Sequence, residues 1–576
     1  MNTLVIVLIA AVVLVCAYAG YGRWLAKTWG VDPNAKTPAV RLEDGKDYVP
    51  TNGWTVFAHQ FSSIAGAGPV TGAIQAAAFG WLPVLLWVLI GGVFFGAVTD
   101  FGALYASVKN DGKSMGLLIE KYIGKTGRKL FLLFCWLFCG IVIAAFADMV
   151  AGTFNAFDAE GAQVEAAFTN GAAGMVSIMF MVFAVVFGFI QKKFNFSGWR
   201  EAVIGIVFIV LSFAVGMNCP LVFGKAAWSY ITFVYIFFAA VLPMWMLKQP
   251  RDYMTTFMFG AMIAGAVIGL LVAHPTMNLP VFTGFNNAKL GTMFPILFVT
   301  VACGAVSGFH SLVSSGTSSK TVENEKDMLK VGYAAMVLES LLAVLALCVA
   351  GAAAAADGTP ATGTPFQIFS RGVAGFFEMF GVPVSIATVF MTMCVSALAL
   401  TSLDAVGRIG RMSFQELFSV DDMEHAEGWR KLCCNVYFST FITLVFGFIL
   451  TQIGYANIWP LFGSANQLLS ALVLATLCVF LKVTGRNNKM LFPPLVIMLC
   501  VTFTALVQRL IAMVKAISAA ASTAIPAGET TWGAVFIANG LQLILAVLLI
   551  VLGLNIVFHS VKSYTTCDAP EAKATV

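Results

Sequence analysis

The chain consists of long apolar runs separated by short polar segments, and most charged residues lie between the runs. Most runs are about 20 residues long, the length at which an α-helix crosses a hydrocarbon core about 30 Å thick. They do not show the alternation of apolar and polar residues that is typical of a membrane β-barrel. The pattern predicts an all-α polytopic membrane protein with about 15 transmembrane spans, at 3–24, 54–78, 81–107, 129–155, 173–192, 200–217, 228–247, 255–274, 293–317, 330–353, 383–409, 430–452, 457–482, 490–514 and 532–558.

Two of the predicted helices carry glycine, proline or serine at their centres. The run at 54–78 contains Ala-Gly-Ala-Gly-Pro at 65–69, and the run at 293–317 contains Gly304, Ser307 and Gly308. Glycine weakens a helix, and an unpaired backbone group is costly in hydrocarbon. We therefore expect both helices to be broken near the middle of the membrane, as in secondary transporters. The alternative is a continuous helix in which small residues pack against a neighbour.

Basic residues alternate between the loops of this arrangement. The chain has 33 Lys and Arg residues. If the N-terminus faces outward, nearly all of them lie on the inner side of the membrane, and the exceptions are Lys225, Lys289, Arg371, Arg509 and Lys515. Lys and Arg of short loops remain on the cytoplasmic side. The distribution therefore predicts a periplasmic N-terminus, a cytoplasmic C-terminus and two broken helices that run in opposite directions.

The order of the runs predicts four regions: an N-terminal accessory helix and loop (1–53), a first half of the transport core with inserted helices (54–292), a second half (293–489) and C-terminal accessory helices (490–576). Weak internal similarity links the two halves. AAFADMVAG ends at Gly152 and LTSLDAVG ends at Gly407, and each places one aspartate in the second long helix after a break. This pattern suggests an inverted repeat.

Composition narrows the class of protein. The chain is 59% hydrophobic and 11% charged, whereas about 25% of the residues of soluble domains are charged. A lipid bilayer is therefore an expected partner, and nothing in the sequence indicates nucleic acid. The cysteines lie mostly within apolar runs without a C-x-x-C pair, so they are interpreted as packing residues. HExxH, GxSxG and GxxxxGK[ST] motifs and metal-spaced Cys/His sets do not occur, so we expect no enzyme, no cofactor and no ATP-driven transport.

The first interruption predicts a binding site for an anion. Pro69 suits the first turn of a new half-helix, since its missing N–H is harmless there. The free amides near Val70 and the positive end of the half-helix dipole would then favour a carboxylate. The predicted substrate contacts in this segment are Ala65, Gly66, Ala67, Gly68, Pro69 and Val70.

The second interruption adds a titratable group. Ser307 can cap a half-helix whose first turn contains His310, and a histidine at membrane depth is a functional candidate. It could carry a proton or donate a hydrogen bond to substrate, although a neutral histidine bonded to Ser311 or to a free carbonyl is the structural alternative. The predicted contacts are Gly304, Ser307, Gly308, Phe309, His310 and Ser311.

Further candidates for ion or proton coupling lie outside the two interruptions. Thr401 and Ser402 could form an oxygen-only site for a small hard cation such as sodium, with Asp404 taking a proton instead. Hydroxyls that bond back to their own helix are the alternative for Thr401 and Ser402, and an ion pair with Arg408 is the alternative for Asp404. Asp148, like Glu339, lies deeper and suits a proton-linked or gating role.

Two more polar groups admit simple interpretations. Asp100 is expected near the inner end of its span, solvated or paired with Lys109 or Lys113. The amide pair Asn466–Gln467 either lines the cavity or bonds between helices.

These stretches resemble the carbon-starvation protein A family of bacterial inner-membrane transporters. The matching blocks are HQFSSIAGAGPVTGAIQAA from His59, DFGALYASVKNDGKSMG from Asp100, CGAVSGFHSLVSSGTSSK from Cys303, LTSLDAVGRIGRMSFQEL from Leu400 and WPLFGSANQLLSA from Trp459. The resemblance implies uptake of pyruvate with protons, or of small peptides, in starved cells. It also implies a LeuT-type inverted-repeat core, in which the position of Thr401 and Ser402 contributes to a sodium site in sodium-coupled relatives. The chain is shorter than the longest members, mainly in its C-terminal part.

The sequence therefore predicts a secondary active importer of a small carboxylate, with pyruvate and protons as the first candidates. Small peptides are the alternative substrate and sodium is the alternative coupling ion. Two other classes are open: a channel, which would need a continuous polar lining, and an intramembrane hydrolase, which would pair His310 with Ser307, Ser311 or Ser314.

Overall fold

The structure is a computed structural model that describes residues 2–45, 47–158, 160–194, 198–243, 245–288, 290–420, 427–522 and 532–567, with no description of the side chains of 520–537. Lys46, Lys289 and Lys573, which were counted in the charge distribution, and the end of the predicted 490–576 region lie outside these residues.

The chain is mostly helical where it is described. Its first twelve helices are α1 (Thr3–Ala17), α2 (Arg23–Trp29), α3 (Pro38–Arg41), α4 (Gly53–Ile64), α5 (Gly68–Ala76), α6 (Trp81–Gly91), α7 (Ala97–Val108), α8 (Met115–Ile123), α9 (Lys125–Phe154), α10 (Ala167–Phe194), α11 (Trp199–Asn218) and α12 (Lys225–Val241). Short π-helical turns at Tyr18–Gly22 and Gly92–Gly96 join α1 to α2 and α6 to α7.

The remaining helices are α13 (Lys248–Ala273), α14 (Met293–Thr300), α15 (Gly308–Gly316), α16 (Ala335–Ala353), α17 (Pro365–Glu378), α18 (Val384–Phe418), α19 (Gly428–Cys433), α20 (Val436–Thr451), α21 (Tyr455–Val483), α22 (Phe492–Ser522) and α23 (Trp532–Thr566). A two-stranded antiparallel hairpin, β1 (Asn286–Asn287) and β2 (Gly291–Thr292), precedes α14.

Eleven helices in the described residues are long and apolar enough to cross a membrane. Two shorter apolar helices, Lys225–Val241 and Val436–Thr451, coincide with further predicted spans. The two remaining predicted spans correspond to the helix pairs α4–α5 and α14–α15. The number of spans that cross the bilayer stays a prediction, as does the orientation of the termini.

Helix α17 lies between two predicted spans, in a stretch where the apolar pattern predicts no transmembrane helix. Its start carries a capping box, because the Thr364 hydroxyl accepts the Gln367 N–H and the Gln367 side chain accepts the Thr364 N–H. One face is buried, including Phe366 and Phe369. The helix has 14 residues and one apolar face. It is therefore shorter than a transmembrane span and does not appear as a long apolar run in the sequence.

Burial separates an inner group of helices from an outer one. The most apolar stretch of Tyr455–Val483 is 100% buried by other helices, whereas that of Trp199–Asn218 is only 22% buried. Lys125–Phe154 and Glu325–Ala353 also belong to the inner group. Apolar side chains that are not covered by protein are what a lipid bilayer solvates. The two interrupted helices lie within the inner group.

Candidate functional site

The first interrupted helix ends at Ile64 and resumes at Gly68. Ala65 leaves helical geometry, and the Gly66 N–H bonds to the Ile64 carbonyl at 2.7 Å. Pro69 lies in the first turn of α5, and the first amide to bond back along α5 is that of Thr71, which donates to the Ala67 carbonyl. In the described part of the chain, no side chain caps the start of α5.

The second interruption is longer and is capped from another helix. Helix α14 ends at Thr300 and α15 begins at Gly308. Ser307 occupies the N-cap position, but its side chain makes no capping bond. Asn466 caps the helix instead, because its Oδ1 accepts the Phe309 N–H at 3.1 Å. Asn466 also bonds to the Ser307 hydroxyl. An N-terminal cap of this kind satisfies an amide that has no partner within its own helix.

Side chains also satisfy carbonyls at the end of α14. Gln467 donates to the Phe298 carbonyl at 2.7 Å, and Trp459 donates to the Thr300 carbonyl at 3.2 Å. Trp87 makes a second bond to the Phe298 carbonyl. The second interruption is therefore held open by α21 and α6, while the start of α5 keeps uncapped amides.

Small residues allow the two interruptions to meet. A side chain at Gly68 would collide with Cys303, which lies in the second interruption, and one at Gly66 would collide with the Ser402 hydroxyl of α18. A Cβ at Gly304 would lie 3.6 Å from the Pro69 Cα. Ala65, Ala67, Pro69 and Val70 are also buried. Of the six contacts predicted for this segment, only Gly66 and Gly68 line the cavity between the two interruptions.

A cavity of about 20 Å³ lies between the two interruptions. Its wall is formed by Ile64, Gly66, Gly68, Phe138, Val142, Phe146, Cys303, Phe309, His310, Ser402, Val406, Phe462 and Asn466. A cavity of about this volume accommodates one water molecule but no organic substrate. The conformation described is therefore closed around the site.

His310 lies between two carboxyl groups at this cavity. Its Nδ1 is 2.9 Å from Asp100 Oδ2 and its Nε2 is 3.3 Å from Glu339 Oε2, and all three side chains are buried. The contact to Glu339 is close without the alignment of a hydrogen bond, whereas the contact to Asp100 is hydrogen-bonded. A single imidazole can balance at most one of two carboxylates, and buried charges must be paired or neutralised. The group must therefore hold protons.

The expectation for Asp100 is wrong, and so is the structural alternative for His310. Asp100 is neither solvated nor paired with Lys109 or Lys113, because it is fully buried against His310. Lys109 pairs instead with Glu325 at 2.7 Å. His310 also does not bond to Ser311, whose hydroxyl has no partner among the described residues. Both imidazole nitrogens face carboxyl groups, which leaves neither of them to activate a serine as a hydrolase would require.

Asp404 is paired with Arg251 rather than with Arg408. Arg251 and Asp404 form an ion pair in which both side chains are buried, and the Tyr235 hydroxyl donates to Asp404 at 2.8 Å. Arg408 donates to the carbonyls of Ala239 and Leu242. The structural alternative for Asp404, an ion pair with Arg408, is therefore wrong.

The hydroxyls of Thr401 and Ser402 bond back to their own helix. Thr401 donates to the Ala397 carbonyl at 2.8 Å and Ser402 to the Leu398 carbonyl at 3.2 Å. The Thr401 hydroxyl also accepts a hydrogen bond from Arg251. Ser402 lines the cavity, and Thr401 is not among the residues that line it.

Asp148 lies apart from the cavity, in a contact among three helices. Its Oδ1 pairs with Lys225 at 2.7 Å, and its Oδ2 accepts the Tyr455 N–H at 2.8 Å. The pair is half-exposed, since the Lys225 side chain is 47% exposed. Asp148 therefore ties α9 to the starts of α12 and α21.

Three polar residues in and near the site have no definite role that the sequence predicts: Asp100, Arg251 and Asn466. Asp100 is followed by the apolar run Phe-Gly-Ala-Leu-Tyr-Ala, which was a signal for burial. The predicted span begins at 255, which leaves Arg251 in a loop, whereas α13 begins at Lys248 and contains it. No local signal connects Arg251 or Asn466 with its partner on a distant helix.

The helical architecture and the buried, charged site at two interruptions define a class: multi-pass membrane transporters. The chain belongs to the carbon starvation protein CstA family, whose sequence model matches residues 2–362 and 351–505.

Named relatives agree on transport and differ in substrate. The chain is 31% identical over 588 aligned positions to the peptide transporter CstA of Escherichia coli, covering 88% of this chain and 80% of the relative. It is 30% identical to the peptide transporter CstA of Bacillus subtilis, covering 85% and 87%. It is 36% identical over 364 positions to the pyruvate/proton symporter BtsT of Escherichia coli, covering 61% of this chain and 49% of that protein.

Solved structures align with most of this chain at low structural similarity. A mutant of the manganese transporter of Eremococcus coleocola matches with a TM-score of 0.44 and 11% identity, covering 91% of this chain and 99% of that one. MhsT in complex with L-phenylalanine matches with a TM-score of 0.44 and 12% identity, covering 88% and 99%.

Proposed function

We propose that this protein is a secondary active importer that carries a small carboxylate, with pyruvate as the first candidate, together with protons across the bacterial inner membrane during carbon starvation. One observation carries the proposal: an uncapped half-helix start and a buried histidine–carboxyl group border the same closed cavity.

The start of α5 is the proposed carboxylate site. Gly66 and Gly68 face the cavity, and the amides of Gly68 and Val70 precede the first bond within α5. The positive end of a helix dipole and free amides attract an anion. The second interruption is capped by Asn466 and would contribute its wall, including Phe309 and His310.

The group of Asp100, His310 and Glu339 is the proposed proton site. A proton that binds to this group lowers its negative charge. A substrate carboxylate binds nearby more readily when the neighbouring carboxyl groups are neutral. Proton and substrate would then bind together, which is what symport requires. Asp148 and Asp404 lie in separate ion pairs and are proposed to hold helices rather than to carry the transported proton.

Alternating access is the proposed mechanism, in a LeuT-type inverted-repeat core. The cavity is too small for pyruvate in the conformation described, so the wall must move to admit it. The two interruptions are natural hinges, because few backbone hydrogen bonds cross them. Opening toward one side and then toward the other would expose the site to each side of the membrane in turn, so that no continuous channel forms.

Small peptides are a second candidate substrate. The relatives from Escherichia coli and Bacillus subtilis that match most of this chain are named peptide transporters. A peptide also presents a carboxylate to the start of α5, but its length requires a larger opening than pyruvate does.

Uptake by purified protein in proteoliposomes tests the proposal. We expect labelled pyruvate to accumulate when the outside is more acidic than the inside, and to equilibrate without accumulation when a protonophore is present. Uptake of labelled dipeptides is measured in the same vesicles. Accumulation that ignores the proton gradient would contradict proton coupling, and uptake of peptide without uptake of pyruvate would favour the second candidate.

A further inference from the structure

A second, open cavity of about 490 Å³ lies on the side of the protein that the sequence predicts to face the cytoplasm. In the described part of the chain, no residue lines both this cavity and the one between the two interruptions. Its wall comes from three stretches: 33–40 around α3, 52–54 at the start of α4, and 323–330 between α15 and α16.

Hydrogen bonds hold these stretches together beside the cavity. Lys36 pairs with Asn324 in an antiparallel bridge, and the Thr51 N–H donates to the Thr321 carbonyl at 2.9 Å. The Asn324 side chain donates to the Pro33 carbonyl at 3.0 Å. The wall is therefore ordered before any ligand binds, which reduces the entropy that binding costs.

The charged side chains of the wall leave an excess of positive charge. Lys330 pairs with Asp327 at 2.9 Å, so these two charges balance. The remaining charged residues of the wall are Lys36, Lys326 and Glu323, and all three are exposed. None of these three belongs to an ion pair within the described residues. Two lysines against one carboxylate favour an anionic ligand.

Trp54 indicates that the cavity lies at the level of the lipid headgroups. It lies in the first turn of α4, where the predicted span 54–78 begins, and it is 67% exposed. Lys330 Nζ lies 4.5 Å from the centre of its ring. Tryptophan is enriched where a membrane meets water, and lysines at that level attract anionic headgroups. Tryptophan and lysine on one wall therefore favour a lipid over a soluble anion.

We propose that this cavity binds the phosphate group of an anionic phospholipid, with Lys36 and Lys326 as its charge partners and Trp54 beside its acyl chains. The headgroup would contact the stretch that leads into α4 and the stretch that follows α15. Binding would thus hold the two half-helices in the conformation described. The inference goes beyond the proposed function and does not depend on which substrate is carried.

Thermal unfolding of the purified, delipidated protein in detergent tests the inference without any transport. Phosphatidylglycerol should raise the Tm saturably, because a ligand that binds the folded state stabilises it. Phosphatidylcholine with the same acyl chains carries no net charge and should raise it less. The double variant Lys36→Gln/Lys326→Gln should need about 25-fold more phosphatidylglycerol for a half-maximal rise, at about fivefold for each lysine. Glu323→Gln removes a negative charge and should need less than the wild type.

Lys125→Gln/Lys129→Gln is the matched control, because both lysines are exposed, are predicted on the same side of the membrane and lie outside the cavity. It should respond as the wild type does. An equal response to the two lipids would overturn the inference. So would a midpoint that moves as far in this control as in the variant of Lys36 and Lys326, or that moves in neither.

Two further outcomes keep the inference open to refutation. If the variant of Lys36 and Lys326 does not fold, a Glu323→Gln protein that needs as much phosphatidylglycerol as the wild type would overturn it. Inorganic phosphate that raises the Tm as much as phosphatidylglycerol does would overturn the assignment to a lipid. Failure of pyruvate uptake would refute the proposed substrate and leave these Tm comparisons valid.

Discussion

Replacing Gly66 by alanine tests the close approach of the first interruption to α18. A methyl group at this position would overlap the Ser402 hydroxyl, while the Ser402 Cβ would lie 3.3 Å away. Overpacking a buried site by one methyl group costs about 1 to 3 kcal/mol. We therefore expect Gly66→Ala to lower the free energy of unfolding by about 2 kcal/mol and to reduce uptake, because the methyl group also narrows the cavity.

A second substitution should reverse the loss of stability. Ser402→Ala removes the overlapping oxygen and forfeits one hydrogen bond to the Leu398 carbonyl, at a cost of about 1 kcal/mol. The remaining 3.3 Å contact needs only a small shift. The double variant should therefore be more stable than Gly66→Ala alone, with a favourable coupling energy of at least about 1 kcal/mol.

Chemical unfolding in detergent of the wild type, the two single variants and the double variant measures this coupling. Gly260→Ala is the matched control, because Gly260 is helical and exposed and a Cβ there meets no atom within 4 Å. It should be neutral or slightly stabilising. Stability of Gly66→Ala equal to that of the wild type, or a double variant no more stable than Gly66→Ala, would refute the packing that we describe.

Three other predictions concern single contacts. Glu339→Gln removes a group that can exchange protons, so gradient-driven accumulation should be lost while pyruvate exchange persists; the exposed Glu378→Gln should behave as wild type in the same vesicles. Asn466→Ala removes the cap of α15 and should lower stability by about 1 kcal/mol in chemical unfolding; an unchanged stability would contradict the capping role. Lys225→Ala breaks the half-exposed pair with Asp148 and should cost less than about 1 kcal/mol; a loss several times larger would show that the pair is buried in solution.

The interruptions were predictable from sequence because their causes are local. Glycine and proline at 66–69 and glycine and serine at 304–308 disfavour a helix wherever they occur. The structure ends α4 at Ile64 and resumes at Gly68, and it ends α14 at Thr300 and resumes at Gly308. The groups that satisfy the second interruption come from α21 and α6, and nothing in the interrupted run itself specifies them.

The charged partners were not predictable for a related reason. Asp404 and Arg408 are four residues apart, so the local rule for helix faces favoured their pairing. The guanidinium that reaches Asp404 comes from Arg251, 153 positions earlier in the chain. Similarly, hydropathy placed Asp100 near the inner end of a span, but α15 brings His310 to it across a distance of 210 positions. Such pairs follow from helix packing, which one sequence does not define.

Proton movement that accompanies pyruvate is the most direct test of the central claim. Pyruvate is added to weakly buffered proteoliposomes without a pH gradient, and the external pH is followed, with protein-free liposomes as the control for passive entry of the acid. The account predicts a transient rise in external pH in vesicles that contain the wild type, beyond that of the control and lost in Glu339→Gln. Protein-dependent entry of pyruvate without any such rise would contradict proton symport.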